Sequence, residues 1–195
     1  RPIDALELTI SWALQSPHFL FRYEEQLADQ TTLTPSTLAD RLSYFLLNAP
    51  PDEILLNAGD GLLTPDGWAA QVDRILSSDL LELGIRALFD DLWGLWHLDQ
   101  LHLNKDPDRF EHLSASLGPS AREETLMNVW QLTVDERPFP EIFTQRRTFL
   151  NPELAAVYEL PAPSREGFAW TDYPLSSERV GFLGQISFLA LHSHP

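Results

Sequence analysis

TPSTLADRLSYFLLNAPPDEILLNAGD, running from Thr34 to Asp60, is the stretch that decides the fold. Leu38, Leu42, Phe45 and Leu46 fall at i, i+4, i+7 and i+8, the apolar stripe of one helical face. Thr34 suits the cap of that helix and Pro35 its first position, where a missing N–H leaves nothing unpaired. Pro50-Pro51 stops it. A second short apolar run, Ile54-Leu55-Leu56, then opens with Asp52 and Glu53 in its first turn, where carboxylates oppose the positive end of the helix dipole. Arg41 lies at the edge of the stripe, so its stem should pack while its charge reaches Asp52 or Glu53 beyond the turn.

The same punctuation recurs on both sides. Ser16-Pro17 starts a helix with Leu20, Tyr23 and Leu27 inward, and Thr64-Pro65 starts one with Ala69, Val72, Ile75 and Leu76 inward. From Leu81 onward, Ile85, Leu88, Leu92, Leu95 and Trp96 keep one stripe over four turns, which predicts a helix crossing the centre of the core. Residues 98–118 have no period. Ser120 and Glu123 have the spacing of a capping box, with Leu126, Val129 and Trp130 on the buried face of the helix behind them and Glu124 in solvent. Asn151-Pro152 opens a short helix. Residues 160–179, with three prolines and one glycine, form a long connector. Residues 180–191 are apolar enough for a strand or a buried helix, and the helical surroundings favour the helix.

The fold class is therefore all-α: an irregular multi-helix bundle with a Pro-rich connector near the C-terminus, one domain over residues 1–195. A chain of 195 residues can bury a core without covalent staples. It has no cysteine, so disulfides, zinc thiolates and haem attachment within the chain are excluded. A net charge of −16 repels phosphate backbones and anionic lipid, which argues against nucleic-acid partners. No apolar run approaches the roughly 20 residues of a membrane span.

Chemistry is sparse. Gly-rich phosphate loops, nucleophile elbows and H-E-x-x-H helices are missing. His97, His102 and His112 share the irregular stretch with Asp99, Asp106 and Asp108, but His97 and His102 are five apart and point to different faces of a helix. His192 and His194 form an H-x-H pair that could share one metal from extended backbone, where alternate side chains point the same way. The plainer reading is two polar residues near a chain end.

Six stretches carry a family resemblance: SPHFLFR (16–22), LADRLSYFLLNAPPDEILL (38–56), the Trp-Gly-Leu at 93–95, REETLMNVW (122–130), TFLNPELAAVY (148–158) and RVGFLGQISFLALHSHP (179–195). In this order they resemble a domain of unknown function described from planctomycete and myxobacterial surface proteins. This chain departs from it at Glu159, where the family has glycine, and at Gly184, where it has threonine. The resemblance implies an exported, periplasmic or cell-surface protein whose neighbouring segments attach c-type haem. It supplies no catalytic residue. In the family the closing Ser-His-Pro continues further, so the chain reads as a portion of a longer polypeptide, with the remaining segments as its partners. Two functions follow: a helical scaffold or interaction module of that larger protein, or part of a redox or hydrolytic enzyme with a histidine site near the C-terminus.

Overall fold

The computed structural model describes residues 2–21, 24–28, 31–106, 108, 110 and 112–193. It is mostly helical, with one small two-stranded sheet. Backbone contacts divide the chain into two compact units, residues 1–81 and 82–195.

The first unit carries α1 (Pro2–Leu14), α2 (Pro17–Leu20), α3 (Pro35–Leu47), α4 (Glu53–Asn57) and α5 (Pro65–Leu76), with a 3-10 turn at Gly59–Leu63. The expected starts are real caps. Thr34 accepts the N–H of Thr37, Asp52 that of Leu55 and Thr64 that of Gly67. Asn48 ends α3 in the left-handed region, ahead of the two prolines. Ala39, Leu42, Leu55, Leu62 and Ile75 form the core, with Trp68 and Val72 packed on it.

Three expectations fail in this unit; on α5, Ala69 and Leu76 are exposed and only Val72 and Ile75 of the expected stripe turn inward. Ser16 makes no side-chain cap and α2 ends at Leu20, after which the chain is extended enough for Gln26 to bridge Leu33. Leu20 is exposed, and Tyr23 lies outside the described residues. Phe45 is 76% exposed, because the inward face of α3 centres on Ala39, Leu42 and Ser43, a turn of about 100° away.

The second unit is built on α8 (Leu117–Val134), whose buried residues include Ala121, Glu124, Thr125, Leu126, Asn128, Val129 and Leu132. Around it lie α6 (Leu81–Leu92), a 3-10 turn at Leu95–Gln100, α7 (Leu101–Asn104), α9 (Pro152–Val157) and α10 (Ile186–His192). β1 (Arg147–Leu150) and β2 (Ala169–Asp172) pair antiparallel, with Phe149 opposite Trp170 and Thr148 opposite Thr171. Thus the long connector carries a strand, and residues 186–192 are the helix the sequence favoured.

The stripe from Leu81 does not cross the core. α6 stops at Leu92, Gly94 turns left-handed at φ 62°, and Leu88 and Leu92 are exposed. The inward side of α6 is Ile85, Phe89 and Trp93, packed on Val129, Leu132, Ile142 and Phe182. Trp93 stacks on Phe182 at 4.1 Å between ring centroids. A second cluster of Leu95, Leu98, Leu101, Leu117, Leu150, Leu154 and Tyr158 closes the other end.

Candidate functional site

The sequence candidates are dispersed. His192 is the last residue of α10, exposed, with its ring 4.6 Å from that of Phe188; His194 lies outside the described residues. His97 stacks on Trp96 rather than facing His102. Among the described residues no group of three His, Cys, Asp or Glu is placed to hold a metal ion.

The charge that Asp52 finds is not Arg41 but Arg74. Its guanidinium donates to both carboxylate oxygens at 2.7 and 3.0 Å, which with the Leu55 N–H holds the Asp52 carboxyl below its usual range. Arg41 instead meets Glu24 at 3.0 Å, both side chains more than half exposed, because α3 turns it away from the Asp52 loop. Glu53 stays exposed in the first turn of α4.

The capping box of Ser120 and Glu123 does not form either. α8 begins at Leu117, so both residues already lie inside the helix. Ser120 donates to Glu153 at 3.0 Å and accepts from Asn151, while Glu123 accepts from Arg86.

What the fold does assemble is a sealed polar hub around Glu124, which is fully buried. Thr148 on β1 donates to Glu124 Oε1 at 2.7 Å. Tyr158, just past α9, meets Oε2 at 2.8 Å and accepts the backbone N–H of Ile186 at 2.9 Å. Asn128 donates to Thr148, and Gln145 donates to Asn128. Gln185 bridges Thr125 and Thr148, and Ser187 meets Thr125 at 2.6 Å. Arg179 lies 4.6 Å from the centre of the Tyr158 ring and donates to the Gly184 carbonyl.

Burial decides the protonation of this hub. It pushes the Glu124 carboxyl up to about 8, against hydrogen bonds from Thr148 and Tyr158 and the charge of Arg179 that pull the other way. The acid is therefore mostly neutral at pH 7, and in that state its proton lies on Oε2, which donates to the Tyr158 oxygen 2.8 Å away rather than accepting from it. Burial likewise raises Tyr158 and Tyr173, with Glu124 adding to both shifts. Tyr173 is buried at the edge of the hub, and its hydroxyl has no hydrogen-bond partner of ordinary geometry among the described residues. The hub can store a proton and fix four segments; as folded, Glu124 is closed to substrate.

A second constellation is half-buried and opens to solvent. Arg122 on α8 donates from Nε and Nη2 to Asp90 on α6, both at 2.7 Å, and from Nη1 to Asp99 at 2.9 Å. Arg86 pairs with Glu123 and, at 3.6 Å, with Glu82. Arg86, Asp90, Asp99, Arg122 and Glu123 line an open cleft of roughly 440 Å³ over Ala87, Pro119 and Leu126. Asp90 above all keeps the Arg122 guanidinium protonated.

Sequence reading missed the hub because a glutamate beside another glutamate reads as solvent-facing. A signal was present all the same. Three of the six quoted stretches supply Glu124, Thr125 and Asn128, then Thr148 and Tyr158, then Arg179, Gln185 and Ser187. Only Gln145 and Tyr173, among the hub residues named above, come from elsewhere.

A family model described as "PSD4: Protein of unknown function (DUF1592)" matches residues 33–160, well over half of the chain. No curated protein and no solved structure matches significantly.

Proposed function

We propose, for a chain that belongs to the DUF1592 (PSD4) family of proteins of unknown function, that it is a helical scaffold or interaction module of a larger exported protein. Neighbouring segments of that polypeptide, rather than this cysteine-free chain, would carry c-type haem, and the site of action would be the periplasm or cell surface. The family resemblance read from the sequence supports these last points.

One observation carries the reading. Every residue of α1 from Ile3 to Leu14 is exposed, including Ile3, Leu6, Leu8, Ile10 and Trp12, the last at 86%. Ile3, Leu6, Ile10 and Leu14 fall on one face of the helix, and an exposed apolar stripe of this kind marks an interaction site. The internal polar groups supply the other half of such a module: the ion pairs and the Glu124 hub tie its segments together. Among the described residues no helix is long and apolar enough to cross a membrane.

Hydrogen exchange of α1 in the isolated chain and in the uncut native polypeptide tests this. α1 should exchange freely in the first and be protected in the second. Equal, rapid exchange in both would remove the interaction role.

The second reading, a redox or hydrolytic site at His192 and His194, draws on the exposure of His192 at the end of α10. Elemental analysis of protein purified without chelator addresses it, and sub-stoichiometric zinc, copper and iron would end its metal form.

A further inference from the structure

We propose that Glu124 is a proton-controlled latch: neutral, it holds residues 179–192 against α8; ionised, it draws Arg179 from Gly184 and frees that segment. The geometry starts with how the segment is attached. Its polar anchors converge on one place: the Ile186 N–H reaches Tyr158 Oη, Gln185 reaches Thr125 and Thr148, and Ser187 reaches Thr125. Tyr158 and Thr148 are also the two hydroxyls hydrogen-bonded to the Glu124 carboxyl. The acid and the segment therefore share the same two hydroxyls, and a change at one is felt at the other.

Arg179 gives the arrangement two states. Its guanidinium donates to Gly184 O at 2.9 Å, closing the 3-10 turn at Phe182–Gly184 that leads into α10. The same group lies over the ring whose hydroxyl contacts Glu124. A buried carboxylate without a counter-charge is unfavourable by several kcal/mol. Arg179 is the facing cation that can supply one, and in doing so it leaves Gly184.

The other charged groups around the hub do not substitute for it: Arg146, ahead of β1, is held by the Pro174 and Ser177 carbonyls. Tyr158 and Tyr173 both titrate upward and stay neutral through this range. Arg147 on β1 is taken by Asp172 and the Trp170 ring. On α9, Glu153 is held by Ser114, Ser116 and Ser120. On α8 itself Arg122 and Glu123 are engaged in the cleft. The titratable residue of α10, His192, ends the helix and is exposed. The high proton affinity of Glu124 places the transition near pH 8.

Hydrogen exchange resolved by segment, corrected for intrinsic rates, reads the latch. From about pH 6 to about pH 9, protection of residues 184–191 should fall roughly tenfold more than protection of residues 126–133 on α8. Glu124→Gln should abolish that difference. Tyr158→Phe, which removes the shared hydroxyl, should lower protection of 184–191 already at about pH 6. The infrared band of a protonated carboxyl, followed in glutamate-labelled wild-type protein, should vanish over the same pH range and needs no variant to fold. Equal loss in both segments, an unchanged profile in Glu124→Gln, or a carboxyl band that outlasts the opening would overturn the proposal.

Discussion

Gly118→Ala is the substitution whose outcome the structure constrains most tightly. In an exposed helix, alanine for glycine stabilises by up to about 1 kcal/mol. Gly118 is the second residue of α8 and is packed on the 3-10 turn at 95–100. A Cβ there would stand 1.8 Å from the Leu98 carbonyl oxygen, 2.8 Å from its carbon and 3.1 Å from Leu101 Cβ. Ordinary carbon–oxygen contacts need about 3.3 Å, so the helix start must recede by more than about 1 Å. Leu98, Leu117 and Ala121, all buried, then lose a quarter to about half of the attraction across that contact. Overpacking of this kind costs about 1–3 kcal/mol, and backbone, which is what blocks this site, yields least. A net loss of about 2–3 kcal/mol is expected, read as a lower urea midpoint at unchanged slope. Gly61→Ala, whose Cβ would meet nothing within 4 Å, is the control and should move stability by under about 1 kcal/mol. A Gly118→Ala protein as stable as wild type would refute the close packing of α8 on Leu98.

Three further outcomes are expected. The Glu124 carboxyl titrates at about 8 folded against 4.5 as a model acid, so between those values the folded state keeps a proton that the unfolded state has lost. Stability therefore falls as pH rises, by up to about 1.4 kcal/mol per unit and roughly 3 kcal/mol by pH 7, and levels off above pH 8. Urea titrations from about pH 5 to about pH 8 should show Glu124→Gln gaining on wild type throughout, and a constant difference between them would contradict the buried neutral acid. Glu159 holds φ 55° at the end of α9, with Leu160 N–H on Ala155 O, so Glu159→Gly should raise stability by about 0.5–1 kcal/mol in thermal melts. Asp52→Ala removes both a cap and the Arg74 partner and should cost about 1–2 kcal/mol, whereas Arg41→Ala, which breaks a solvated pair, should cost under about 1 kcal/mol; the reverse order in denaturant melts would restore Arg41 as the partner of the α4 loop.

Local signals in the chain were legible, and distant ones were not. Thr34-Pro35, Thr64-Pro65 and Asn151-Pro152 start helices as read, because a cap needs only its next three residues. Ser16-Pro17 has the same pattern of a capping residue before proline, but no side-chain cap forms and the helix is four residues long. The strands RTFL and AWTD are too short to show a period of two against a helical background. Ser120 and Glu123 fit a capping box, but Ser114, whose hydroxyl meets the N–H groups of Ser116 and Leu117, lets the helix begin earlier. Glu124 is the deepest misreading. Its partners Thr148 and Tyr158 are 24 and 34 residues away, so its burial follows from tertiary structure alone.

The separation of the hub's parts along the chain also bears on how it is made. Thr125 meets Gln185 and Ser187 across 60 and 62 residues, and closing a loop of that length forfeits about 3–4 kcal/mol of chain entropy before any bond rewards it. Ribosomal synthesis delivers Glu124, Thr148 and Tyr158 well before residue 185. Until then the carboxyl lacks its cover, stays hydrated and ionises freely. The last event in maturing this unit should accordingly be slow and coupled to proton uptake, so that refolding accelerates in acidic buffer.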